Sequence, residues 1–330
     1  MPYTNPSRQK WYFCRLLKVA KLQIVGLFIA TMLTAGSASA GNLSYQLSSN
    51  FFSSQQNGRE SIVRKPCHCQ PRQTLLQWSY GTSFSGGPNL SEPLVTDRPD
   101  FTEAASTVGR GVAQLEMGFT YVRDVSELTT TATSYPELLL RYGLLAEWLE
   151  LRIGWTYLEE DSATISSKSR RKGSDDLYLG FKIGLTPQEG LLPEMALIPQ
   201  MTVPIGSIGF SAEEVLPGLN WIYGWEWTER LATAGSTQVN RSLDAGTNDP
   251  YLEVAQSATI AFALTERLGM YTEWFVLVPD GADTNRTEHY FNGGFTLLLS
   301  NNLQLDLRAG TGLNQAADDF FGGMGAVVRF

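Results

Sequence analysis

Charged side chains set at every second position inside apolar stretches carry most of the chemistry in this sequence. Gln114 and Glu116 alternate with Leu115 and Met117, and Glu150 and Arg152 with Leu149, Leu151 and Ile153. The same spacing places Glu137, Arg141, Asp176, Lys182, Glu226, Glu253, Glu273, Asp306, Arg308 and Arg329 on the polar side of such stretches. Groups of both signs on one face can pair with one another or line an aqueous path; they do not make a catalytic set. The chain has two histidines. His68 lies in Cys67-His68-Cys69, which lacks the second ligand cluster a metal site needs, and the sequence implies no metal or cofactor. A local disulfide and free thiols are both open readings of that cysteine pair. His289 stands between Glu288 and Tyr290, which point to the face opposite its own, so no nucleophile–histidine–acid set is legible and no enzyme is expected.

The elements that position these charges have period two. Leu149, Leu151, Ile153, Trp155 and Tyr157 alternate with Glu150, Arg152, Gly154 and Thr156, and Leu177, Leu179, Phe181 and Ile183 with Tyr178, Gly180, Lys182 and Gly184. Alternation of this kind predicts strands with one apolar and one polar face. Twelve strands are expected: 112–123, 135–143, 148–157, 174–185, 194–205, 215–227, 230–240, 250–263, 267–278, 288–299, 303–313 and 320–330. Most have the length that carries a tilted strand across a bilayer. The connections after even strands are tight, as at Ser300-Asn301-Asn302, with Thr186 to Pro193 the longer exception. Those after odd strands are mostly long and polar, as from Asp161 to Gly173. Even strand number with short turns at one end and long loops at the other predicts an all-β, antiparallel, up-and-down transmembrane barrel. A soluble β-sandwich also alternates, but its connections need not alternate in length. The chain closes on Met324, Ala326, Val328 and the aromatic Phe330, an ending expected to act as an assembly signal read by the barrel-assembly machinery.

Composition agrees. Acidic residues number 33 against 25 basic, and five of the basic ones, Arg8, Lys10, Arg15, Lys18 and Lys21, lie before residue 41. A body this acidic is repelled by phosphate backbones, which argues against nucleic acid as a partner. Basic residues up to Lys21, an apolar run from Leu22 to Leu33 and Ala38-Ser39-Ala40 read as a cleavable signal peptide over 1–40,. The apolar run is shorter than a membrane anchor requires. Residues 41–93, rich in Ser, Gln and Asn, read as a flexible extension. Segment 94–111 leads to the periplasmic mouth and lumen, and 112–330 is the barrel.

Leu94-Val-Thr-Asp-Arg-Pro-Asp-Phe-Thr-Glu103 followed by Val112-Ala-Gln-Leu-Glu-Met-Gly-Phe-Thr-Tyr121 resembles the opening of the outer-membrane family labelled for the meta-pathway of phenol degradation. Gly173-Ser-Asp-Asp-Leu-Tyr-Leu-Gly-Phe-Lys182 is similar to that family's Gly-x-Gly-Asp-x-x-Leu-Gly-x-Lys segment, with Asp175 where glycine is more usual. Ile198-Pro-Gln-Met-Thr-Val-Pro-Ile-Gly206 and the closing Gln304 to Phe330 also fit. The resemblance covers about residues 92–330 and implies a transporter-like barrel in the outer membrane. It does not establish phenol as the substrate.

Charges at lipid depth would each cost about 2–4 kcal/mol, so the polar face must line the lumen. Glu116, Glu137, Arg141, Glu150, Arg152, Lys182, Glu226, Glu253, Glu273, Asp306 and Arg308 are therefore candidates for a solute path. The expected function is a channel or transporter for small solutes, aromatic or hydrophobic compounds among them, with outer-membrane lipids around it. A salt-bridged, non-conducting interior is the alternative, with a structural or surface-binding role. Asp97, Arg98, Asp100, Phe101 and Glu103, just before the first strand, read either as a solvated linker or as a short plug. In the plug reading Arg98 pairs with lumenal acids, the carboxylates meet Arg141, Arg152 or Arg308, and Phe101 packs on the wall.

Overall fold

The computed structural model describes residues 74–76, 90–125, 129–163 and 168–330. The leader, the Cys67-His68-Cys69 motif and most of the 41–93 extension lie outside the described residues. Thirteen strands follow one another: β1 (Ala113–Val125), β2 (Thr129–Gly143), β3 (Leu149–Ala163), β4 (Lys168–Ser174), β5 (Leu177–Thr186), β6 (Glu194–Val203), β7 (Leu216–Thr228), β8 (Leu231–Leu243), β9 (Pro250–Ala263), β10 (Leu268–Asp280), β11 (Glu288–Ser300), β12 (Leu303–Gly312) and β13 (Phe320–Arg329). Each pairs antiparallel with its neighbours, and β1 pairs with β13 from Gln114↔Arg329 to Arg123↔Phe320, closing the sheet into a barrel. Closure leaves no free edge along the wall at lipid depth, the condition for strands in hydrocarbon; β4, which pairs only with β3, stands beyond it,.

β4 and β5 share one stave. β3 pairs with β5 along its lower half and with β4 along its upper half, so the barrel has twelve staves. Asp175 and Asp176 form the joint. The Asp176 carboxylate accepts from Gly206 N at 3.0 Å and Ala212 N at 2.9 Å, fastening the β6–β7 loop over the bend. The stretch from Asp161 to Gly173 is thus not the long loop that its polarity suggests. It is mostly a hairpin continuing β3 and β4, with Glu159↔Lys172 and Asp161↔Arg170 across it. Beyond the lipid both faces of a strand are wetted, so the apolar period disappears although the ladder persists.

The alternation is inverted relative to a soluble protein. Phe181 is 45% exposed while its neighbour Lys182 is 0% exposed. Trp221, Tyr223, Trp225 and Trp227 form a continuous aromatic series along the outward side of β7. The indole N–H of Trp225 donates to Leu191 O at 2.9 Å, in the β5–β6 connection, as suits an interfacial girdle,. Among the described residues no helix is long and apolar enough to cross a membrane. At the end of the chain Phe330 N donates to Ala113 O at 2.8 Å and its ring is 70% exposed on the outside of the β13–β1 seam.

Candidate functional site: the inward segment and the lumen

Residues 94–111 run inside the barrel as a loop that enters and leaves at the short-turn end. Entry is fixed by Leu94 N donating to Asn301 O at 2.8 Å, in the β11–β12 turn. Exit is fixed by Gly111 N donating to Gly143 O at 2.8 Å, beside β1. Between these points the loop crosses the lumen and meets most of the wall.

Strand register places the wall charges first. Gln114, Arg141 and Arg152 are consecutive partners across β1, β2 and β3, and Glu150 lies opposite Lys182. Two adjacent arginines would repel each other, and Glu150 holds them together. Arg141 grips it with Nε at 2.7 Å and Nη2 at 2.9 Å, while Arg152 reaches it at 3.2 Å. Arg141 Nη1 also donates to Glu116 at 3.1 Å. Two wall acids thus face three buried cations, and the inward segment supplies the missing charge. Asp97 receives Lys182 Nζ at 2.7 and 3.0 Å, Arg152 Nη1, and Arg141 Nη1 at 3.3 Å. Glu103 receives Arg152 Nη2, and Asn220 Nδ2 at 3.0 Å from β7.

Arg98 reaches the other way. Its Nη1 donates to Glu137 at 3.0 Å and Nη2 to Asp306 at 3.4 Å. Gly118 and Gly325 make that path: a Cβ at either position would collide with the Arg98 guanidinium. At the far side of the loop Glu273 accepts from Phe101 N at 2.8 Å, Thr102 N at 2.7 Å and Thr102 Oγ1 at 2.7 Å. Thr259 and Asn292 complete that carboxylate's shell at 3.0 and 2.8 Å. Ala105 packs on Ala196, Ile198 and Ile222. Arg308 meets no carboxylate of the segment; it donates to Pro99 O at 2.8 Å and Thr120 Oγ1 at 3.1 Å.

Of the remaining sequence candidates, Glu253 stays half-buried beside Tyr251, whose hydroxyl donates to it at 3.4 Å. Glu226 is an exception to the lumenal expectation. It is exposed at the end of β7, where the strand leaves the wall for the β7–β8 turn, and Gln188 binds its main chain. Sequence reasoning passed over Asn220, Ser257, Thr259, Phe275 and Gln304 as partners of the segment, and Asn292 as a partner of Glu273. Their inward parity was readable, but uncharged side chains at inward positions give no sign of which loop they hold. His289 lies outside against Trp274 at 6.0 Å, while Tyr290 donates to Glu288 at 2.7 Å inside.

Two carboxyls of the segment shift oppositely. Burial works to raise Asp97, but Arg141, Lys182 and Arg152 overcome it and hold the group well below the ordinary 3.8. Burial raises Asp100 well above that value, with Glu273 adding to the effect. Docking of the loop is expected to follow both. As pH falls through the raised Asp100 range towards 3.8, docking strengthens, because the docked state takes up the proton,. Below 3.8 it weakens, because the docked Asp97 resists a proton that the undocked one accepts,. Protection of the amides of residues 96–104, taken as the intrinsic exchange rate at each pH divided by the observed one, is expected to pass through a maximum across this range; protection that only falls on acidification would contradict the assignment.

Above the loop, towards the long-loop end, a cavity of about 500 Å³ is lined by Arg98, Asp100, Phe101, Glu137, Tyr178 and Arg308 among others. Among the described residues no cluster of His, Cys, Asp and Glu is arranged to hold a metal ion.

A solved structure with the same fold is an outer-membrane barrel. The COG4313 outer membrane channel from Pseudomonas putida F1 superposes with a TM-score of 0.56 at 13% identity, covering 71% of this chain and 99% of that one. The translocator domain of the autotransporter NalP from Neisseria meningitidis aligns with a TM-score of 0.48 at 11% identity, over 67% and 89% of the two chains. No curated protein matches the sequence. The model of the family described as "Putative MetA-pathway of phenol degradation" matches residues 96–330, which include all the ion-pairing residues of the inward segment, Asp97, Arg98 and Glu103, and every strand. With its lipid-facing apolar band and closed twelve-stave wall, the chain is an outer-membrane β-barrel and belongs to that family.

Proposed function

We propose that the protein is a channel for small solutes across the outer membrane, closed in this state by residues 94–111. One observation carries the reading: hydrogen bonds and ion pairs tie the loop to β1, β2, β3, β5, β7, β9, β10 and β12. Wall side chains fill a barrel of eight strands and leave an open channel in one of sixteen; the twelve staves here leave room, and a segment outside the wall occupies it. Short turns face the periplasm and long loops the exterior, so the cavity opens towards incoming solute. Its lining mixes paired charges with aromatic faces, which suits small polar or aromatic compounds,. Glu116 and Glu150 are engaged by Arg141. They therefore act on conduction through the loop rather than as a free selectivity ring. Assembly is assigned to the C-terminal strand and Phe330, read by the barrel-assembly machinery.

The dense buried ion pairs also favour a second reading, a permanently plugged barrel. Swelling of proteoliposomes in small sugars and aromatic alcohols separates the two. Arg98→Ala removes the ties to Glu137 and Asp306 and is expected to raise the swelling rate several-fold over wild type. Identical, negligible rates in both proteins would favour the plugged barrel.

A further inference from the structure

Beside the ion-pair network the lumen holds an aromatic stack that the closed-channel reading does not require. Phe275 of β10 lies on Tyr290 of β11 with ring centroids 4.7 Å apart and planes 19° apart. Phe321 of β13 closes the side, edge-on to Tyr290 at 5.9 Å and tilted 59° against Phe275. The remaining face of Phe275 is covered by one residue from outside the wall. Phe101 of the inward segment stacks on it at 4.5 Å with planes 4° apart. The wall thus supplies three sides of a slot for a flat ring, and the plug supplies the ring.

Three further features bear on what else fits. Phe101 borders the cavity of about 500 Å³, within the size range of small-ligand sites, so a displaced side chain has somewhere to go,. The main chain at Phe101 is held by Glu273, two residues before Phe275 on the same strand, which allows the ring to swing without the loop leaving first. At the rim, the Arg308 guanidinium stands 5.7 Å from the centre of the Phe321 ring. Its Nε, like the hydroxyl of Tyr271 in the adjoining row, is buried without a hydrogen-bond partner among the described residues. Buried polar atoms of this kind ordinarily have one.

We infer that the slot formed by Phe275, Tyr290 and Phe321 is a binding site for a monocyclic aromatic compound bearing a hydrogen-bonding substituent, and that Phe101 occupies it as a built-in competitor. The inference rests on the channel reading for the solute's origin and adds its chemical class and its trigger. A ring that takes the place of Phe101 against Phe275 removes the plug's aromatic anchor and turns its substituent towards Arg308. The solute thereby weakens the closure that it must pass.

Phenol binding to the full chain in detergent, read by calorimetry with cyclohexanol as the ring-saturated control, tests this. Phe101→Ala and the milder Phe101→Leu are expected to bind phenol about ten-fold tighter than wild type, the order of one stacking contact removed from competition. Cyclohexanol should gain nothing, and adding Phe275→Leu should abolish the gain. Equal phenol affinity in wild type and both Phe101 variants, or an equal gain for cyclohexanol, would overturn the slot. Because binding is read without flux, swelling with no phenol gain overturns the slot and leaves the channel standing. A phenol gain without swelling supports the slot and removes the channel.

Discussion

Asp97→Ala is expected to loosen the inward segment by about 3–5 kcal/mol, the cost of removing one partner from a buried charge cluster. The reason is stoichiometric. Arg141, Arg152 and Lys182 are each no more than 1% exposed, and only Glu116 and Glu150 on the wall oppose them. Asp97 contacts all three cations and also accepts Ala104 N at 2.9 Å, which closes the loop on itself. Without it the cations keep their desolvation penalty and lose the ligand that makes the arrangement tolerable. Amide exchange over residues 96–104 should then speed up by more than about 100-fold, while the barrel strands keep their protection. The exposed Glu159–Arg170 pair on the outer hairpin gives the internal control. Glu159→Ala should leave exchange in the segment unchanged, since solvent-screened pairs contribute little.

Glu273→Ala should release the opposite end of the loop. That carboxylate takes donors from Phe101 N, Thr102 N, Thr102 Oγ1, Thr259 Oγ1 and Asn292 Nδ2. Hydrogen bonds to a charged acceptor contribute about 1.5–3 kcal/mol each, but a shared acceptor makes them strongly non-additive, so a total near 4 kcal/mol is expected. The two main-chain N–H groups cannot find other acceptors without moving away from the wall. The variant should therefore expose Phe101 and Thr102 to exchange while the Asp97 cluster remains protected. Equal protection of both ends would mean that the loop's own geometry, not the wall, holds it in place.

The strands were legible because lipid on one side and charge on the other impose strict alternation. Leu149 to Tyr157 shows it residue by residue, and the expected twelve staves match the observed ones to within a few residues at most ends. The miss is instructive. Lys168-Ser-Arg-Arg-Lys172 has no apolar face because it stands beyond the hydrocarbon, so only pairing with Glu159, Glu160 and Asp161 reveals it as strand. Which charges point inward followed from parity, with Glu226 lost only because its strand has already reached solvent. Which charges meet did not follow. That Arg141 lies beside Arg152 depends on the stagger between β2 and β3, including the irregularity at Ser134 to Glu137, and no local pattern encodes it. The segment 94–111 was harder still. Asp97, Arg98, Asp100, Phe101 and Glu103 have no period, and their partners lie up to 226 positions away in sequence.

The most direct test of the account is single-channel recording in planar bilayers of wild type beside a variant lacking residues 96–103. The deletion removes Asp97, Arg98, Phe101, Thr102 and Glu103, and with them every ion pair between the loop and the wall described above. Wild type is expected to be silent or to flicker briefly. The variant should show long-lived openings of uniform size, with cations favoured because the uncovered wall retains Glu116, Glu137, Glu150, Glu273 and Asp306 against Arg141, Arg152, Lys182 and Arg308. A folded variant that stays as silent as wild type at every voltage would contradict the claim that residues 94–111 close a conducting lumen.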